Sequence, residues 1–485
     1  MFSQIKKLFT HSLIYGVGYI LTRVITFFLL PLYTNELSKE QYGIITLGFL
    51  FLGIFQIVYR YGMDTSLLRY YEDEAYAEVQ KEVFSNTLFS VLATSLLLSF
   101  ALIIVRNPVS KALFVSAEYS QIIIYLAIIL FCDTLSLLPK VILRIKERAL
   151  LFTGVSLVNV VLTLSLNIYF IVYQHEGVIG VFKANSIASA SVLLVVSPIL
   201  FRESAFSWSS TLWKKLFKFG VPLILANLAA MILELADREI LKQLTDMATV
   251  GLYSAGYKLG IFMMLVVSAF NFAWQPFYLK MGNTEEGPEL FANVFTYFML
   301  AMCTLFIGLT LFLYYIIRIP LFGGTILGPK FWSAAAITPI IFAAYMFYGA
   351  YISFLPGPYL KNKTSKMVYF TGSGAIVNVI LNYALIPHFG IYGSAWATLF
   401  GYAVMAVLLY FYHQQLYFTP YQWTKLIKMF TITAVLTGLF YLWQPAIIGR
   451  IVLLLAFPSL VLGLRIIRLD QVQRVLQIFL RSSSR

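Results

Sequence analysis

Charge is what this chain has least of. Asp, Glu, Lys and Arg make up 12% of its 485 residues while 60% are hydrophobic, far from the mix that keeps a soluble domain solvated. That scarcity excludes a soluble globular protein. Cysteine is almost absent, and both Cys132 and Cys303 lie inside apolar runs. Neither a disulfide framework nor a four-ligand metal site has the spacing it requires. The four histidines, His11, His175, His388 and His413, are scattered at or near the ends of apolar runs. No metal-ligand spacing, Gly-rich phosphate loop or nucleophile elbow accompanies them. The sequence thus carries no enzyme signature, no metal centre and no cofactor site, and no connection is long enough to fold separately.

What is abundant is apolar sequence long enough to cross a bilayer, which takes about 20 residues per helix. About fourteen such runs start near Ser12, Tyr42, Val83, Ser120, Leu151, Gly177, Leu216, Thr249, Leu290, Trp332, Met367, Gly390, Leu426 and Ile448. The expected class is an all-α integral membrane protein. The first run is too long for a signal-peptide core and lacks a small-x-small cleavage site, so it is expected to stay as an anchor. A formal net charge of +14 does not point to nucleic acid, because the basic residues cluster in alternate connections. Lys6 and Lys7, the Arg144, Lys146 and Arg148 group, Lys214, Lys215 and Lys218, then Lys361, Lys363 and Lys366, and the C-terminal arginines fall on one side. That bias places both termini in the cytoplasm, with the chain in the cytoplasmic membrane.

The runs repeat. Phe152-Thr153-Gly154, Asn159-Val160-Val161-Leu162 and Gly177-Val178-Ile179-Gly180 have counterparts in Phe370-Thr371-Gly372, Asn378-Val379-Ile380-Leu381 and Gly390-Ile391-Tyr392-Gly393, with unequal gaps. Gly43 and Gly48 likewise match Gly251 and Gly256. An even number of runs per half keeps both halves in one orientation, which implies a parallel repeat of the kind transporters use. The expected organisation is an N-lobe of helices 1–6 over residues 1–205 and a C-lobe of helices 7–12 over 206–418. Residues 419–485 then add two helices and a tail whose amphipathic stretch, Leu469 to Leu480, lies at the cytoplasmic interface.

Ionisable groups inside a bilayer cost at least about 2.5–3.5 kcal/mol each, so every one asks for a partner, water or a function. Arg23, Lys183 and Lys258 stand against Asp133 and Glu234 within the runs. Three cations against two anions point to a cavity of positive potential that selects an anion, and a guanidinium can hold a phosphate in bidentate fashion. Arg23, Lys183 and Lys258 are therefore the candidate pyrophosphate-binding residues. The competing reading for Arg23 is an interhelical pair with Asp133. Asp133 and Glu234 are candidates for ion coupling or charge pairing, and Arg144, Lys146 and Arg148 for gathering anionic head groups on the inner face.

The opening Gly16-Val-Gly-Tyr-Ile-Leu-Thr-Arg23 and its continuation to Pro31-Leu-Tyr33, then Leu37-Ser-Lys-Glu-Gln-Tyr42-Gly43, resemble the polysaccharide-biosynthesis, or lipid-linked oligosaccharide flippase, family. Leu68-Arg69-Tyr70-Tyr71, Asp237-Arg238 and Val250-Gly251-Leu-Tyr253-Ser-Ala-Gly-Tyr257-Lys258 add to the likeness. The resemblance implies two six-helix bundles, alternating access, and a polyprenyl-pyrophosphate oligosaccharide as cargo. It also implies that Arg23 holds the pyrophosphate, that membrane lipids and other polysaccharide-assembly membrane proteins are partners, and that nucleic acid is not. The two extra runs resemble those of lipid II flippases, where such a pair helps form a lipid-tail groove. A cation-coupled multidrug exporter of the same superfamily is the alternative, and a glycan polymerase or ligase, which needs a large outer loop, the more distant one.

Overall fold

The computed structural model describes residues 20–466, apart from Phe322 and several side chains between 223 and 234, that of Glu234 among them. The start of the first run at Ser12 and the expected tail helix from Leu469 to Leu480 lie outside the described residues. Among the described residues, eleven helical segments are long and apolar enough to cross a membrane, and Ile447–Gly463 is a shorter apolar helix. One antiparallel hairpin, Pro320–Leu321 with Gly324–Thr325, interrupts the all-helical order.

The helices used below are α1 (Leu29–Glu36), α2 (Lys39–Arg60), α3 (Gln80–Ile104), α4 (Ser120–Ile145), α5 (Ala149–Ile168), α6 (Gly177–Glu203), α7 (Pro222–Leu244) and α8 (Met247–Lys258). They are followed by α9 (Ile261–Met281), α10 (Gly287–Ile316), α11 (Thr338–Ser353), α12 (Met367–Phe389), α13 (Ile391–Leu416), α14 (Trp423–Trp443) and α15 (Ile447–Gly463).

Local chemistry sets where they begin and break. Ser38 opens α2 with a capping box: its hydroxyl accepts from the Gln41 N–H and its own N–H donates to Gln41 Oε1, so two otherwise orphaned donors are satisfied. The first helix is interrupted at Phe28. Pro31 has no N–H to offer the Phe27 carbonyl, and the Phe28 N–H bonds only three residues back, to Ile25 at 3.0 Å. The run expected from Thr249 as one span is two helices, α8 and α9, separated at Leu259-Gly260, where glycine's low helix propensity favours a break.

The chain groups into two compact units. One comprises Met1–Lys258, Pro320–Ala334 and Thr371–Gly401, the other Leu259–Ile319, Ala335–Phe370 and Tyr402–Arg485. These are divisions by packing, whereas the lobes drawn at 205 and 418 are divisions by sequence repetition.

In the first unit, α2 and α8 approach closely through the glycines matched in the sequence. A Cβ on Gly43 would stand 2.1 Å from the Met247 carbonyl oxygen, and one on Gly251 would stand 2.0 Å from that of Lys39. Each glycine faces the carbonyl four residues before the other. Gly251→Val is therefore expected to cost about 1–3 kcal/mol by overpacking, read as a lowered thermal midpoint of the purified protein. Gly154→Ala, whose added Cβ meets nothing within 4 Å, is expected to leave the midpoint unchanged or raise it.

The hairpin belongs to the same unit and is fastened to the end of α1. Asn35 Nδ2 donates to the carbonyls of Pro31 and Thr325, both at 2.7 Å, and Asn35 Oδ1 accepts from the Thr325 N–H. The second unit is held by aromatic packing, including a Phe270–Phe298 stack at 3.9 Å. Buried His413 is fully engaged there: Nδ1 accepts from the Gly357 N–H, while Nε2 meets the Thr419 and Tyr421 hydroxyls.

Candidate functional site

The first unit holds a partly open cavity of about 260 Å³ whose polar lining is Thr26, Tyr33, Asn159, Thr163, Asn185 and Lys258. The walls come from the helical residues 20–27, α1, α2, α5, α6 and α8. Two of the lining side chains, Thr26 and Asn185, are held by the backbone beneath them. Thr26 Oγ1 donates to the Thr22 carbonyl at 2.7 Å, and Asn185 Nδ2 to that of Val181 at 2.8 Å. The Tyr33 hydroxyl donates to Asn167 Oδ1 at 2.9 Å. Lys258 is the last residue of α8, where the helix break leaves carbonyls that a cation complements. Arg23 lies near enough for its charge to act on Lys258. Two cations brought together inside a membrane protein repel each other, and an anion placed between them relieves that repulsion.

Lys183 and Asp133 lie elsewhere. A π-helical turn, Tyr169–Tyr173, closes α5 and delivers Glu176 to the start of α6, and Glu176 takes Lys183 in an ion pair at 2.6 Å. The ammonium also sits over the Phe170 ring at 4.4 Å. Asn185, two residues on, lines the cavity instead. Residues two apart on a helix point roughly 200° away from each other, so Lys183 and Asn185 divide the two faces of α6 between them.

Asp133 is engaged with Gln56, whose Nε2 donates to Oδ2 at 3.2 Å, and Gln56 Oε1 accepts from Arg60 Nη2 at 3.1 Å. The carboxylate that the sequence offered as an alternative partner for Arg23 thus points into a different cluster. The backbone of Glu234 lies in α7, and its side chain is outside the described residues. On the connection after α4, Lys146 Nζ contacts both oxygens of Glu203 at 2.6 Å, and the Tyr71 hydroxyl donates to the same carboxylate at 3.0 Å. Burial and the neighbouring carboxylate push the Tyr71 phenol up, so it remains a donor. Arg144, Lys146 and Arg148 are all exposed, and Lys146 is tied to Glu203.

Two groupings were not visible as such in the sequence. Asp237 and Arg238, 2% and 6% exposed, form an ion pair at 2.6 Å. The Tyr253 hydroxyl donates to the second Asp237 oxygen, and Arg238 lies over the Tyr257 ring at 4.2 Å. Thr398, Asn378, Asn382 and Ser394 extend the network across α12 and α13. The second is the Gln56, Arg60, Asp133 and Lys140 cluster, hidden because Arg60 and Lys140 stand near helix ends and read as topology charges. Spacing held a signal for it: Gln56 and Arg60 are four apart, on one face of α2.

The second unit holds a groove of about 500 Å³, almost wholly apolar, lined among others by Phe295, Met299, Met346, Phe354, Trp423 and Phe430. Its lining comes from α10, α11, α13 and α14 and the residues beside them. Thr433 contributes a hydroxyl already spent on the Met429 carbonyl. Helix α15 packs behind, on α10 and α14. Arg450, at its start, donates to the Leu311 and Pro445 carbonyls and is not among the groove's lining residues.

Comparison with known proteins gives three results. Residues 8–282, more than half of the chain, match the family model described as polysaccharide biosynthesis protein. An uncharacterized membrane protein of Methanocaldococcus jannaschii is 23% identical over 425 residues, 80% of each chain. Among solved structures, the lipid II flippase MurJ in an inward closed conformation superposes with a TM-score of 0.73 at 12% identity, covering 92% of this chain and 98% of that one. An inward-facing multidrug resistance MATE family transporter gives a TM-score of 0.62 at 16% identity, covering 82% and 97%. The fold is one that these transporters share.

Proposed function

The chain belongs to the polysaccharide biosynthesis protein family, and from that premise we propose that it is a flippase carrying polyprenyl-pyrophosphate-linked oligosaccharides from the cytoplasmic to the outer leaflet of the cytoplasmic membrane. The observation that carries the reading is the cavity in which Lys258, with Arg23 acting on it, is the charged group among amides and hydroxyls. A pyrophosphate brings the negative charge that offsets both cations, and the amides suit sugar hydroxyls. Within the second unit, the apolar groove between α10, α11, α13 and α14 has the chemistry of a lipid-tail surface. Lobes 1–205 and 206–418 rocking about the substrate would supply alternating access, which requires contacts that differ between the two states.

A carrier of cationic drugs calls for a carboxylate in the cavity, and the lining presents lysine and amides instead. Leaflet-resolved translocation in proteoliposomes separates the two. The expected result is movement of a polyprenyl-pyrophosphate oligosaccharide without accumulation of a cationic dye; dye movement alone would transfer the protein to the exporter class.

A further inference from the structure

Two helices of the cavity wall carry polar residues onward to the second charge cluster. Phe49 lines the cavity, and Gln56 follows it seven residues on, along the same face of α2 and about 10 Å further; Arg60 is one turn beyond. On α6 the same relation links Asn185, in the cavity lining, to Ser189 one turn along, which lies against Asp133. Helix α4 supplies Asp133 and, two turns later, Lys140. Gln56, Arg60, Asp133, Lys140 and Asn185 are half-buried, and Ser189 is buried. They therefore form a second polar station beside the first, toward the end of α2 that the charge bias assigns to the cytoplasm.

This station is short of acceptors. Arg60 spends Nη2 on Gln56, while its Nε is buried without a hydrogen-bond partner. Lys140 feels Asp133 and Arg60 electrostatically, yet among the described residues neither cation has a carboxylate within 4.0 Å. Asp64 acts on Arg60 only at longer range. A buried guanidinium nitrogen without an acceptor is costly, and a carboxylate or phosphate reaching into the cluster would satisfy it and the Lys140 ammonium together.

We propose that Arg60 and Lys140 form a second anion subsite, and that the carried glycan bears a negatively charged group on its sugars. The inference rests on the flippase reading and narrows its substrate to acidic oligosaccharides. Asp133 holds Gln56, and through it Arg60, in place, so it is a positioning residue.

The test compares two polyprenyl-pyrophosphate oligosaccharides of equal length in proteoliposomes, one with a uronic acid and one with the neutral sugar in its place. Wild type is expected to move the acidic glycan roughly tenfold faster, the factor that 1.4 kcal/mol of added recognition gives. Arg60→Gln with Lys140→Gln is expected to lose that ratio. Arg60→Lys with Lys140→Arg, which keeps both charges, is expected to retain most of it. Equal rates for both glycans in wild type would overturn the inference while leaving the flippase reading standing. The same holds if the ratio survives in the glutamine variant. Movement of neither glycan would overturn both.

Discussion

Arg23→Ala is expected to fold normally and to move lipid-linked oligosaccharide at least about 30-fold more slowly than wild type. A hydrogen bond to a charged group is worth about 1.5–3 kcal/mol, and 2 kcal/mol corresponds to roughly that factor. Folding should survive because Arg23 is exposed in the structure, so its loss leaves no cavity. Lys258→Ala should fall by a similar factor, since it lines the same space. Arg23→Lys is expected to recover only part of the rate, because an ammonium cannot reproduce the bidentate fork of a guanidinium. Initial translocation rates, taken beside thermal midpoints, check all three. A wild-type rate in Arg23→Ala would end the proposed pyrophosphate role.

Asp237→Ala is expected to be the most destabilising single change described here. It removes the carboxylate that pairs with the Arg238 guanidinium at 2.6 Å in a site only 6% exposed, and breaking a buried pair on one side costs about 3–5 kcal/mol. The Tyr253 hydroxyl loses its acceptor at the same time. Thermal unfolding in detergent should show a large drop in midpoint and a lower yield from membranes. Replacing both charges, Asp237→Ala with Arg238→Met, should recover part of the loss, because no uncompensated charge then remains. If the double variant is no better than the single one, the cost lies in packing rather than in charge.

The class of fold was legible because bilayer chemistry leaves little choice: long apolar runs must become helices that satisfy their own backbone. The paired glycines were legible as matched positions, and the structure brings one pair, Gly43 and Gly251, against each other's helices. Arg23 and Lys258 read in the sequence as cations within apolar runs, and in the structure the charge of Arg23 acts on Lys258. Lys183 was harder. Its partner Glu176 sits outside the run, and only the π-helical turn at the end of α5 brings it within 2.6 Å, a geometry that no residue pattern announces. Lys146 illustrates the same limit, since Glu203 lies far along the chain and reaches it only through packing of α6 beside α4. The break after Lys258 was missed because hydropathy runs straight through Leu259-Gly260, while helix continuity depends on a single glycine.

The reciprocal contact of Gly43 and Gly251 also bears on how this sequence can change over generations. Each position is held small by a backbone oxygen of the other half, not by a side chain that could itself be replaced. A substitution at one site therefore cannot be accommodated by trimming a neighbour; it requires the opposing helix to move. At this crossing the two positions can change only together. Randomising both codons together should return variants with small residues at both positions.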